Sequence, residues 1–195
     1  MRSDIIRVMA HLTVSVEYGL HSLLWMVDSG DAPLSARDLA EFQGLSHSFL
    51  AKIFPKLEKA GIVRASGGVR GGYLLARPAE EISFLEIVDA IEGPKPLFDC
   101  QEIRGRCVLF VPDAPRWAMH GYCSIHAVML RAEKAMRAEL AKTSLRDVAA
   151  AVGGKAPPEF PAEVGAWMSA RAMGRTKGRE TRAMAALTPT REIPS

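Results

Sequence analysis

The chain has 195 residues, 48% of them apolar and 24% charged, with a formal net charge of +3. These are the proportions of an ordinary soluble protein, long enough for one well-cored domain and an appendage. They exclude a membrane protein, because no apolar run approaches the ~18 residues of a membrane span, and with no signal-peptide core after the basic N-terminus a cytoplasmic location is expected.

Residues 1–10 lack periodicity and are read as an N-terminal extension, with Met9 an alternative start to Met1. Over residues 13–28, Val16, Leu20, Leu23, Leu24 and Val27 recur at three- and four-residue steps. That period predicts an amphipathic helix capped by Thr13. Ser35 then caps a short helix over 36–42, Gly44 supplies a turn, and Ser46 caps a further helix reaching about Ala60. Helix, tight glycine turn and helix together make a helix-turn-helix. Pro55 falls inside the second helix, where the lost hydrogen bond predicts a kink near Ile53. Residues 62–65 and 73–76 read as strands around the glycine-rich turn 66–72, a two-stranded wing. Ser83 caps a helix over 84–91 that Gly93-Pro94 closes.

Residues 94–122 hold four prolines and no sustained period, so a long irregular loop is expected there, of the kind that is usually functional or disordered. The helical period returns over 123–141 through Ile125, Val128, Met129, Ala132, Met136 and Leu140, and Ser144 caps a short helix over 145–152. Residues 153–195, rich in Gly, Pro and Arg, read as a mostly flexible tail with a possible turn of helix over 164–173. The fold class is therefore mainly α with a small β-hairpin wing. A DNA-binding domain spans residues 11–93, a loop 94–122, and a long helix with a short follower 123–152.

Charge gives the first half a function. Residues 46–77 hold Lys52, Lys56, Lys59, Arg64, Arg70 and Arg77 against Glu58 alone, a local excess that suits a polyanion. In a helix-turn-helix the N-terminal part of the second helix enters the major groove, which puts Ser46, His47, Ser48 and Lys52 near base edges. Lys56, Lys59 and Arg64 are placed for phosphates. At the wing tip, glycines permit close approach of the backbone, and Arg70 projects where a narrow minor groove attracts a cation. Double-stranded operator DNA is the expected partner.

Several motifs in order carry a family resemblance: Leu12-Thr13 with Glu17-Tyr18-Gly19-Leu20, Phe49-Leu50-Ala51-Lys52-Ile53 leading to Leu57-Glu58-Lys59-Ala60-Gly61, Arg70-Gly71-Gly72-Tyr73-Leu74-Leu75-Ala76-Arg77-Pro78, and residues 82–93. Over about residues 9–152 the chain resembles the IscR/NsrR family of winged-helix repressors. The resemblance implies a homodimer paired through the long helix starting at Cys123, with a sensing loop just before it. Pro55 departs from the family pattern, and Ala51 stands where IscR has an acidic residue that reads DNA, so the operator does not carry over.

Cys100, Cys107 and Cys123 fall within 24 consecutive residues, and the rest of the chain has no cysteine. An odd number in a cytosolic chain argues against a disulfide framework and leaves a metal or cluster site, a redox sensor or inert thiols. Thiolates are soft ligands for iron-sulfur clusters, and imidazole or carboxylate can replace some of them. Two places can complete such a site. His126 lies three residues after Cys123 on the same helix, matching the Cys-x-x-His of IscR, and Glu17 and His21 are four apart on one face of the first helix.

The stretch from Val16 to His21 resembles that of a redox-regulating member of the family, whose 2Fe-2S cluster is held by two cysteines of one subunit and by Glu and His of the other. That resemblance implies Cys100 and Cys123 as sulfur ligands with Glu17 and His21 across the dimer. The alternative set is all three cysteines, Cys107 included, completed by His126. The uneven spacing, six residues between the first two cysteines and fifteen between the last two, favours the split site. His11, His47 and His120 are read as non-ligands. An enzyme is not expected, since nothing orients a base beside a nucleophile. The competing expectation is a cluster-free regulator of the same fold, sensing through a cysteine thiol or a small molecule.

Overall fold

The computed structural model describes residues 12–68 and 71–187; the expectations for residues 1–10, His11 and Arg70 lie outside them. Helix α1 (Val14–Leu24) opens the fold, followed by α2 (Ala36–Phe42) and α3 (His47–Lys59). Strands β1 (Val63–Ser66) and β2 (Gly72–Leu75) come next, then α4 (Phe84–Glu92). After a long connection come α5 (Arg116–Met119), α6 (Ser124–Lys142), α7 (Leu145–Gly153) and α8 (Phe160–Leu187).

The core lies where α1, α3 and α4 meet, with Leu23, Leu50, Phe54, Leu57 and Ile87 fully buried. At this crossing Gly19 has a packing reason: a Cβ there would stand 2.4 Å from Ile91 Cδ1. Ser22 is buried in the same layer and satisfied, donating to the Tyr18 carbonyl at 2.7 Å and accepting from Gln43 Nε2 at 2.9 Å. That second bond ties α1 to the end of α2.

Ser35 caps α2 by accepting from the Asp38 amide at 3.0 Å. Gly44, at φ +66°, turns the chain into α3. Ser46 occupies the N-cap of α3 without capping it, because its hydroxyl bonds Ser48 Oγ at 2.8 Å. Pro55 sits inside α3, which continues as one helix to Lys59. The wing pairs antiparallel, Val63 with Leu75 through Ser66 with Gly72. Leu34 adds a bridge, exchanging two backbone hydrogen bonds with Tyr73. A Cβ on Gly72 would meet the Leu34 backbone at 2.6 Å, so this junction requires glycine.

Ser83 and Glu86 form a capping box at α4, as Ser144 and Asp147 do at α7. The chain segments before these two helices pair with each other: Phe84 donates to the Thr143 carbonyl and Leu145 to that of Ile82.

Besides the Ser46 cap, three expectations need correction. Thr13 stands at the N-cap of α1 but does not cap it; its hydroxyl and amide both donate to Glu92 at the end of α4. The first helix ends at Leu24, and the chain reaches Asp28 through tighter turns in which Met26 and Val27 donate to Leu23 and Leu24. The largest correction concerns the segment read as a mostly flexible tail: within it, Phe160–Leu187 form the 28-residue helix α8. Its anchors are non-local. Trp167 packs on Phe42 at 5.1 Å between ring centroids, Phe160 meets Trp25 at 6.1 Å, and Met168 is buried.

Candidate functional site

The residues expected to face DNA lie on the helix-turn-helix and the wing. Ser46, His47, Ser48 and Lys52 are all exposed on the N-terminal half of α3, and Arg64 is exposed on β1. Lys56 is engaged elsewhere: its ammonium donates to the Ile91 carbonyl at 2.7 Å and closes the end of α4. Glu58 accepts from the Ala65 amide at 3.1 Å, joining α3 to the wing.

The connection before α6 is folded rather than formless. It contains single 3₁₀ turns at Ile103–Arg106 and Val108–Phe110 before α5. Glu102, a non-glycine residue at φ +45°, lets the chain reverse ahead of the first of these. Two contacts bracket Cys100 and Cys123. Phe98, two residues before Cys100, packs on the His126 ring at 6.1 Å, three residues after Cys123. Arg104, four residues after Cys100, donates to the Gly121 carbonyl at 3.1 Å, two residues before Cys123.

Arg104 also binds both oxygens of Glu102, at 2.6 and 2.9 Å. Its guanidinium is held above its ordinary value, first by that hydrogen bond and then by attraction to Glu102, Cys123 and Cys100. Both cysteines are half-buried, whereas Cys107 is exposed.

Glu17 and His21 are exposed on the outer face of α1. Within one chain they do not join the cysteines, and among the described residues no three His, Cys, Asp or Glu side chains converge on a metal-sized space. The ties that position both parts escaped the sequence reading. Glu92 binds Thr13 and Lys95, joining the start of α1 to the root of the loop. Burial alone would raise its carboxyl, but hydrogen bonds from Lys95 and Thr13 outweigh it and hold the pKa at about 2. Arg137 of α6 grips Asp89 of α4 through two bonds of 2.8 and 2.7 Å, and Glu133 accepts the Leu97 amide at 3.1 Å. These partners lie 36 to 48 residues apart, beyond any local pattern.

A second unforeseen contact joins α8 to α2. Arg171 pairs with Glu41 and Arg175 with Asp38, and the Arg171 guanidinium also lies 5.1 Å over the Trp167 ring. The four-residue spacing of the two arginines was the available signal.

Comparison with known proteins agrees with this architecture. Residues 12–151 match the family model Rrf2, described as an iron-dependent transcriptional regulator. The chain is 33% identical over 138 residues to Protein rrf2 of Nitratidesulfovibrio vulgaris, covering 70% of this chain and 85% of that protein. It is 39% identical over 80 residues to the HTH-type transcriptional regulator IscR of Cereibacter sphaeroides, covering 38% of this chain and 52% of that one, so it spans about half the length of that relative. The solved structure of T. potens IscR superimposes with a TM-score of 0.52 at 26% identity, over 70% of this chain and 84% of that one. Helix α8 lies beyond the family match.

Proposed function

Because the chain belongs to the Rrf2 family of iron-dependent transcriptional regulators, we propose that it grips operator DNA as a homodimer and that a 2Fe-2S cluster sets the strength of that grip. It is a DNA-binding regulator rather than an enzyme, and no described helix is long and apolar enough to cross a membrane. The cluster reading rests on the bracketing of Cys100 and Cys123 by the Phe98–His126 and Arg104–Gly121 contacts. Two soft thiolates held in one neighbourhood beside a guanidinium suit a cluster carrying negative charge.

The rest of the ligand set is proposed to come from Glu17 and His21 of the partner subunit. Both are exposed, one turn apart and free of the fold's interior. The homodimer has support in α6, where Ile125 and Val128 are 67% and 52% exposed and continue through exposed Ala132 and Ala135 as an apolar seam. Such a seam calls for cover, and its small residues allow a second α6 to approach closely.

When bound, the cluster supplies a redox couple and bonds that join the loop of one subunit to α1 of the other. The protein supplies the lever. Helix α1 is tied to α4 through Thr13 and Glu92, and to α2 through Ser22 and Gln43, so a pull on Glu17 and His21 reaches the helix-turn-helix. Its effect on DNA is limited to the difference in cluster-binding free energy between the two arrangements.

The alternative ligand set uses Cys107 and His126, and single replacements separate the two. Glu17→Ala should abolish the visible spectrum of anaerobically purified protein while His126→Ala keeps it. Loss in the His126 variant alone overturns the split site. The exposed thiol of Cys107 favours one second reading, a cluster-free thiol sensor. In that case the protein is colourless, and Cys107→Ser alone removes the response to oxidant.

A further inference from the structure

Between α1, α7 and α8 lies a cavity of about 340 Å³ whose function neither the helix-turn-helix nor the cysteine loop explains. Its walls are apolar: Leu24 from α1 and Trp25 just after it, Val152 from α7, and Phe160, Val164 and Met168 from α8. The polar groups His21, Asp28 and Ser169 complete the lining, and His21 and Asp28 are exposed. Asp28 is paired with Arg146 at 2.8 Å, so the lining carries no uncompensated charge from that carboxylate. A volume of this size falls within the range of sites for small organic ligands, which are mostly apolar with a few polar groups fixing orientation.

Two glycines keep the space open. A Cβ built on Gly165, inside α8, meets no atom within 4 Å, and the same holds for Gly153 at the end of α7. Both residues line the cavity. A glycine within a helix is less favourable than alanine, and no close neighbour at Gly165 requires it. A side chain at either position would enter open space at the border of the cavity.

The geometry points to a small-molecule effector site here, one that takes an uncharged aromatic compound with a single hydrogen-bonding substituent. The rings of Trp25 and Phe160, which meet each other edge to face at 6.1 Å, line the space and offer such a body aromatic surface, and Asp28 and Ser169 offer partners for its polar group. The site lies apart from the cysteine loop, shares His21 with the proposed ligand set, and needs the helix that lies beyond the family match. It also has a route to the DNA-binding half: α8 is ion-paired to α2 through Arg171–Glu41 and Arg175–Asp38, so seating a ligand against α8 fixes that grip.

The test uses the neutral fluorophore N-phenyl-1-naphthylamine, titrated into the full-length protein. The expected result is saturable enhancement at one site per chain, weakened tenfold or more by Gly165→Leu and again by Gly153→Leu. A Glu80→Gln variant, at an exposed position between β2 and α4, should bind as the wild type does. Circular dichroism checks that the glycine variants keep their helix content. Unaltered binding in both glycine variants, or no saturable binding in the wild type, overturns the site. Hydrogen exchange then reads the route: the probe should slow exchange over residues 36–42 in the wild type and not in Gly165→Leu, and unchanged exchange there overturns the link to α2.

Discussion

Glu92→Gln removes one charge at the joint between α1, α4 and the root of the sensing loop. The wild-type side chain is only 7% exposed and accepts from Lys95 at 2.7 Å and from the Thr13 amide at 2.9 Å. Its pKa is lowered from 4.5 to about 2. A carboxyl depressed on folding stabilises the native state fully above its unfolded value and loses that contribution as pH falls through the folded value. The window therefore runs from just above pH 4.5 down to about pH 2, and the full shift is equivalent to at most about 3 kcal/mol. Urea denaturation of wild type and variant at steps from pH 7 to pH 2 measures it. The stability difference should be constant above pH 5.5 and shrink steadily below pH 4.5. A difference that stays constant across the acid range refutes the linkage, and with it the role of Glu92 in fastening α1.

Other expectations concern the core and the DNA face. Leu50→Ala empties a fully buried position and should cost about 2–5 kcal/mol in urea denaturation. Gly19→Val places a side chain where Ile91 already stands and should destabilise by about 1–3 kcal/mol, read as a lower denaturation midpoint. Arg137→Ala breaks a pair exposed on both sides and should cost under about 1 kcal/mol. On DNA, Arg64→Ala should weaken binding and lower the salt-dependence slope by about 1. Lys56→Ala should leave that slope unchanged, since its ammonium is bound to the Ile91 carbonyl.

Local rules made much of this fold legible. Ser35, Ser83 and Ser144 cap the helices they were expected to cap, and Gly44 and Gly93 stop the chain where positive φ is required. The wing followed from its glycines and strand pattern, displaced by one residue. What escaped depends on distant partners. Thr13 resembled a cap by position, but Glu92, 79 residues away, takes its hydroxyl. Lys56 looked like a phosphate contact until the end of α4 was placed beside it. Helix α8 was obscured by Gly165, Gly174 and Gly178, which lower local propensity, whereas its docking depends on Phe42 and Trp25 across the fold. Of the candidate ligands, Cys100 and Cys123 are flanked by the Phe98–His126 and Arg104–Gly121 contacts, and Glu17 and His21 stand on α1.

The most direct test is the affinity of anaerobically purified protein for a duplex it selects from a random-sequence pool, measured with the cluster reduced, oxidised and removed, alongside iron and sulfide analysis. The expected result is about two irons and two sulfides per chain and an affinity that changes about tenfold or more between states. A colourless, iron-free protein that binds the same duplex with unchanged affinity under all three treatments would contradict cluster control of DNA binding.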